Sequence, residues 1–226
     1  MAANELAIEP VLTLGPLAIT GTVITTWVIM AVLALAAWLM SRRLRLEPGP
    51  LQTALEGVVS VMEAAIAEVE PKHYRVLLPF VGTLWIFLVV ANLCSLIPGV
   101  HSPTRDLSAT AALALLVFVF THWVAIRIGG LGYLRHYLAP SPILLPFHII
   151  SELTRTVALA VRLFGNMMSL EMAALLILMV AGFLAPVPIL MLHVIEALVQ
   201  AYIFGMLALI YVAGSIQSRP SLQAEE

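Results

Sequence analysis

Between Pro142 and Leu184 the chain runs for more than forty residues with an apolar, helix-compatible pattern. After Pro146 only Gly165 and Gly182 interrupt it, both weakly. At about 1.5 Å per residue, one helix of that length far outruns the roughly 30 Å hydrocarbon core of a bilayer. The segment must either bend into two short passes or lie strongly tilted as one helix. A second long run, Ile189 to Ile216, follows the turn signal "APVP", Ala185 to Pro188. The reading adopted is a hairpin of two long, tilted helices spanning 142–184 and 189–216.

Composition names the solvent. The chain is 62% hydrophobic and 11% charged, with a mean hydropathy of +1.04. Soluble domains are about half apolar, so lipid is the expected surrounding. The 226 residues suffice for about half a dozen membrane helices in one membrane domain. A net charge of −2 offers no footprint for nucleic acid. A single cysteine, Cys94, excludes an internal disulfide and a cysteine-based metal cluster. No metal or other cofactor is expected. No glycine-rich phosphate loop or nucleophile motif occurs, so nucleotide chemistry is expected elsewhere.

The remaining spans follow from the same pattern. Residues 19–40 form a first membrane helix, preceded by an amino-terminal stretch, 1–18, without the basic region of a signal peptide. Residues 51–70 place Leu51, Leu55, Val58, Val59, Met62, Ile66 and Val69 at helical spacing among acidic positions, an amphipathic surface helix. Residues 76–97 and 107–128 form a membrane hairpin around "PGVHSPTRD", and 217–226 is a tail. The fold class is therefore an all-α integral membrane protein of about five membrane helices plus one surface helix. Most Lys and Arg fall on one side and Arg105 alone on the other, which predicts an external amino terminus and a cytoplasmic carboxyl terminus.

Charges inside lipid are costly and normally face a bundle interior or an aqueous cavity. On the 142–184 helix, with Arg162 at zero and about 100° per residue, His148 falls at about +40°, Glu152 at about +80° and Arg155 at about +20°. Asn166 at about +40° and Ser169 at about −20° complete one polar stripe, whereas Glu171 falls at about 180°. Arginine stays protonated where burial neutralises a lysine, so Arg162 suits a fixed charge that attracts a passing carboxylate. The returning helix carries His193, Glu196 and Gln200 on one face. Depth matching across the turn brings Glu171 near His193, a sensible proton-transfer pair. Glu152 and Arg155, three apart, fit a local ion pair as well as a channel element.

These motifs carry a resemblance. "RLFGNMMSLE", residues 162–171, resembles the signature of subunit a of the F-type ATP synthase membrane sector, in which an arginine precedes "LFGNM" and an acid lies nine positions on. "HVIEALVQAYIF", "LVVANLCSLIPG" and "PTRDLSATAALAL" resemble the same family's other segments, in order. The resemblance implies a stator subunit beside a rotating ring of c subunits, with peripheral-stalk b subunits as further partners in the cell membrane. It implies two half-channels that carry ions to and from the ring carboxylates, with Arg162 as the barrier between them. Asn166 and Gln200 then position the arginine, and Glu171 and His193 line the pathway.

This chain departs from the family pattern at Ser95, His148, Glu152, Leu170 and Glu196. The short chain, "SELTRT" and Glu196 are similar to the alternative bacterial F-type ATPases, so proton and sodium both remain open. A self-contained secondary transporter is the competing class, but the inverted repeats that would favour it are not visible. A purely structural scaffold leaves the aligned polar stripe unexplained.

Overall fold

The computed structural model describes residues 10–14, 17–42, 49–97, 100, 102–130, 145–182 and 187–217. Several expected features lie outside the described residues. These are the start of the external stretch, most of the "GGLGYLRHYLAPSP" loop, the first half of "APVP" and the tail after Gln217.

Among the described residues five helices are long and apolar enough to cross a membrane. They are α1 (Gly21–Ser41), α3 (Tyr74–Leu93), α4 (Leu107–Gly129), α5 (Leu145–Ala181) and α6 (Val187–Gln217). The sixth helix, α2 (Pro50–Val69), is the amphipathic one and begins with proline at its first position, where the missing N–H costs nothing. α5 has 37 residues and α6 has 31, so α5 reaches about 55 Å and fits a bilayer only when tilted.

One element was not expected. Pro10–Leu14 and Leu17–Thr20 pair as a short antiparallel hairpin, β1 and β2, that runs directly into α1. The helical fold class is unaffected, since the hairpin precedes the first membrane helix.

Two 3-10 turns, η1 (Cys94–Leu96) and η2 (Pro103–Arg105), make up the described part of the α3–α4 connection. Asp106 caps α4, accepting from the Ser108 backbone N–H at 2.9 Å and the Ser108 hydroxyl at 2.8 Å. Gly130 closes α4 with φ +62°, a left-handed conformation that glycine adopts without strain.

α6 is the hub of the bundle. It packs against α3, α4 and α5, and the buried Ala197, Ala201, Phe204 and Ala208 run along its inner face. Its approach to α3 is closest at Gly205, where any added Cβ would collide with the Trp85 ring. The Trp85 indole N–H donates to the Tyr202 carbonyl at 3.2 Å and fixes that crossing. At the other end of α3, Ile66 of α2 is wholly buried against Leu77, Val81, Val212 and Ile216. Only the carboxyl-terminal half of α2 packs in this way; Leu51, Leu55, Val58 and Val59 stay exposed. α1 stands further off and leaves an apolar cavity of about 1040 Å³ between α1, α3 and α4.

Candidate functional site

The most apolar window of α6 is 50% buried within the chain, whereas that of α5 is only 11% buried. α5 therefore offers most of its surface to something else. Its buried residues are Leu159, Ala160, Leu163 and Met167, which centre at about +110° on the Arg162 wheel. The polar stripe, centred at about +20°, thus lies along one edge of the packed face. On the core side of that edge Asn166 is half-buried; on the open side Arg162, Ser169, Arg155 and His148 are exposed. The same open side carries Ala158 and Gly165, and a Cβ built at Gly165 meets nothing within 4 Å.

Asn166, Gln200, Glu171 and His193 are each held by a direct hydrogen bond. The Asn166 side-chain N–H donates to Gln200 Oε1 at 2.6 Å and joins α5 to α6 one turn from Arg162. Gln200 is 2% exposed, and its Nε2 has no hydrogen-bond partner among the described residues. A buried donor without an acceptor costs about 1–3 kcal/mol and calls for an explanation. Arg162 likewise makes no hydrogen bond or ion pair among the described residues. Arg155 lies 3.7 Å from Glu152 as a local pair and places its guanidinium over the Tyr211 ring. Glu196 is half-buried on α6.

Glu171 and His193 do not bond to each other. Arg105 donates to Glu171 Oε2 at 3.0 Å, with both side chains largely shielded. His193, 4% exposed, places Nε2 2.6 Å from the Ser95 hydroxyl oxygen. Arg105 lies in η2 and Ser95 in η1, so the α3–α4 connection supplies the partner in both cases. Neither partner was among the expected site residues. Arg105 left a signal, as the one cation stranded opposite all the others. Ser95 also left one, as a departure from the family pattern, but nothing in the sequence tied it to His193.

A buried polar network fixes this connection. Asn92, wholly buried, donates from its side chain to the Ala197 carbonyl of α6 at 3.2 Å and accepts from the Thr104 hydroxyl at 2.8 Å. The Ser102 hydroxyl donates to the Ala91 carbonyl at 2.8 Å and accepts from the Thr104 backbone N–H at 3.3 Å. Unpaired polar groups at this depth would be costly, and in this network each finds a partner. The network seats η2, and with it Arg105, against α5. Among the described residues no cluster of three His, Cys, Asp or Glu side chains is arranged to hold a metal.

The geometry can be set beside known proteins. The family model described as ATP synthase A chain matches residues 23–213. The chain is 70% identical over 206 residues to ATP synthase subunit a 2 of Pelobacter propionicus, covering 91% of this chain and 90% of that one. It is 71% identical over 204 residues to ATP synthase subunit a 1 of Hahella chejuensis, covering 90% and 87%. It is 57% identical over 207 residues to ATP synthase subunit a of Legionella pneumophila, covering 91% and 90%. An open arginine on a long membrane helix, a second long helix bonded to it through Asn166 and Gln200, and this extent of identity lead to one conclusion: the chain belongs to the ATP synthase subunit a family, the ion-translocating stator subunit of the F-type membrane sector.

Proposed function

We propose that this chain carries ions, with protons as the working ion, through two half-channels that meet at Arg162. The observation that carries this reading is the open edge of α5. Arg162 stands on it with small residues on either side, Ala158 and Gly165, which leave room for a neighbouring helix to approach closely. A c-subunit ring fits that face, since its carboxylates pass as counter-ions to a guanidinium that never loses its proton. Asn166, one turn from Arg162, is tied to the buried Gln200 and holds the arginine's helix against α6. Moving one charge through 100 mV is worth about 2.3 kcal/mol, which sets the energy the barrier must keep from leaking.

The pathway on the far side of the barrier is assigned to Glu171 and His193 with their partners at the α3–α4 connection. The other half-channel is assigned to His148 and Glu152, which precede Arg162 on α5 by fourteen and ten residues. The amino terminus is taken as external and the carboxyl terminus as cytoplasmic. The peripheral-stalk b subunits are assigned to the apolar flank of α1, α3 and α4 and the exposed amino-terminal half of α2. Nucleotide chemistry is left to other subunits.

The test is Arg162→Ala in the assembled complex in proteoliposomes, with ATP-driven acidification recorded with and without sodium at fixed pH. Loss of pumping with normal assembly is expected, and the wild type should pump without sodium. Normal pumping by the variant would refute the barrier role, and a strict sodium requirement in the wild type would reassign the ion.

A further inference from the structure

Ser95 is placed to set which nitrogen of His193 handles a proton. Its hydroxyl oxygen lies 2.8 Å from the Asn92 carbonyl and 2.6 Å from His193 Nε2. A hydroxyl has one proton to donate, and a carbonyl oxygen can only accept. The Asn92 carbonyl sits in the last turn of α3, where carbonyls run short of backbone donors. The Ser95 proton therefore goes to that carbonyl, and the hydroxyl oxygen faces His193 as an acceptor. Only an Nε2–H can fill that bond, so neutral His193 is the Nε2–H tautomer with its lone pair on Nδ1.

The surroundings support this assignment. His193 is 4% exposed, so its hydrogen bonds come from the protein and few from water. The nearby acids of the other elements are already engaged, while Glu196 shares the His193 face of α6. Glu171 of α5 is held by Arg105 of η2, Asp106 caps α4, and Glu196 lies three residues on along α6. Asn92, which receives the Ser95 proton on its carbonyl, is itself locked to α6 through the Ala197 carbonyl. Ser95 thus keeps a fixed position relative to the helix that carries the imidazole.

We infer that Ser95 is the positioning residue of His193, holding Nε2–H in both charge states so that Nδ1 alone gains and loses the pathway proton. The proton enters on the Nδ1 lone pair to give the imidazolium and leaves the same atom to restore the neutral ring. The Ser95 bond is not broken at either step. This rests on the pathway role proposed above for His193 and names the atom and the group that control it.

The experiment uses the whole complex in proteoliposomes, with nitrogen-15-labelled histidine and the His193 signal taken by difference from a His193→Gln complex. Solid-state NMR should find the neutral ring protonated at Nε2. Ser95→Ala should give a mixture of tautomers and move the pH of half-maximal ATP-driven pumping by about half a unit, the weight of one modest hydrogen bond. Ser95→Thr, which keeps the hydroxyl, should restore both. A wild-type ring protonated at Nδ1 would overturn the assignment without any variant, as would a Ser95→Ala complex unchanged in both readouts. Wild-type pumping by His193→Gln would instead refute the pathway role itself and leave the tautomer to be judged from the spectrum.

Discussion

Two charges on α5 stand nine residues apart and are treated in opposite ways. Glu171 is shielded and ion-paired with Arg105 at 3.0 Å, beside a network in which Asn92, Ser102 and Thr104 satisfy one another. Arg162 is exposed and has no bonded partner among the described residues, and nearby Gln200 keeps a vacant buried donor. A chain that can satisfy one charge so fully has the means to satisfy both. The contrast separates a part of the site whose charges are paired among the described residues from a part whose charge is not, the part where the proposed function seats another subunit. The half-turn between them on the helix wheel produces it: Glu171 falls on the side that meets η2, whereas Arg162 falls on the exposed side.

The largest effect is expected where the site is unfinished. Arg162→Lys keeps a positive charge but exchanges a permanently protonated fork for an ammonium that burial can neutralise. Pumping should fall at least about 100-fold in the assembled complex, the equivalent of about 2.7 kcal/mol. Recovery of more than half the activity would mean that charge alone suffices at this position. The contrast with Glu171 would then lose its meaning.

A smaller effect should follow at the finished end. Arg105→Ala leaves Glu171 without its counter-charge, and breaking a shielded pair from one side costs about 3 kcal/mol. Reduced yield and thermal stability of the complex are expected. The double variant Arg105→Ala with Glu171→Gln should recover much of that loss, since no lone charge remains. If the double variant is as unstable as the sum of the singles, the pair is not a unit.

This division also marks what the sequence could tell. The spans and the two long helices were legible because apolar periodicity is local and survives any packing. The polar stripe was legible for the same reason, being a property of one helix. Glu171–Arg105 and His193–Ser95 were not, because they join residues 66 and 98 apart through 3-10 turns whose course depends on a buried network. Depth matching of Glu171 with His193 could not name the bonded partner of either, because it considered two helices while the α3–α4 connection reaches both. The β1–β2 hairpin was missed although Gly15–Pro16 between two short apolar runs is a turn signal.

The joint between α3 and α6 tests whether the hub is as rigid as the contrast requires. Gly205→Ala drives a methyl group into the Trp85 ring, and overpacking of this kind costs about 1–3 kcal/mol. The thermal midpoint of the complex should fall by several degrees, with Trp85→Phe as a partial suppressor that trims the ring. An unchanged midpoint would show that α3 can shift without cost, and then the Asn92 network could not hold its register against Ala197.

The smallest effect is expected at the end of the bundle remote from both sites. Glu70 ends α2 and is 4% exposed; it accepts from Gln217 Nε2 of α6 at 3.1 Å and lies 3.1 Å from His73 Nδ1. Burial alone pushes this carboxyl up, but the hydrogen bonds from Gln217 and His73, the charge of His73 and a backbone bond at Lys72 together outweigh it and hold the carboxyl below its usual range. A depressed carboxylate contributes stability above its unfolded value, about 4.3, and loses it as the pH falls through the folded value. Glu70→Gln should therefore lower the thermal midpoint by about 2–4 °C at pH 7, the weight of about 1 kcal/mol, and the gap to wild type should close in acid below that value. A gap that persists unchanged in acid would mean that the carboxylate charge does not hold α2 against α6. The α2 contact would then rest on Ile66 and its apolar neighbours alone.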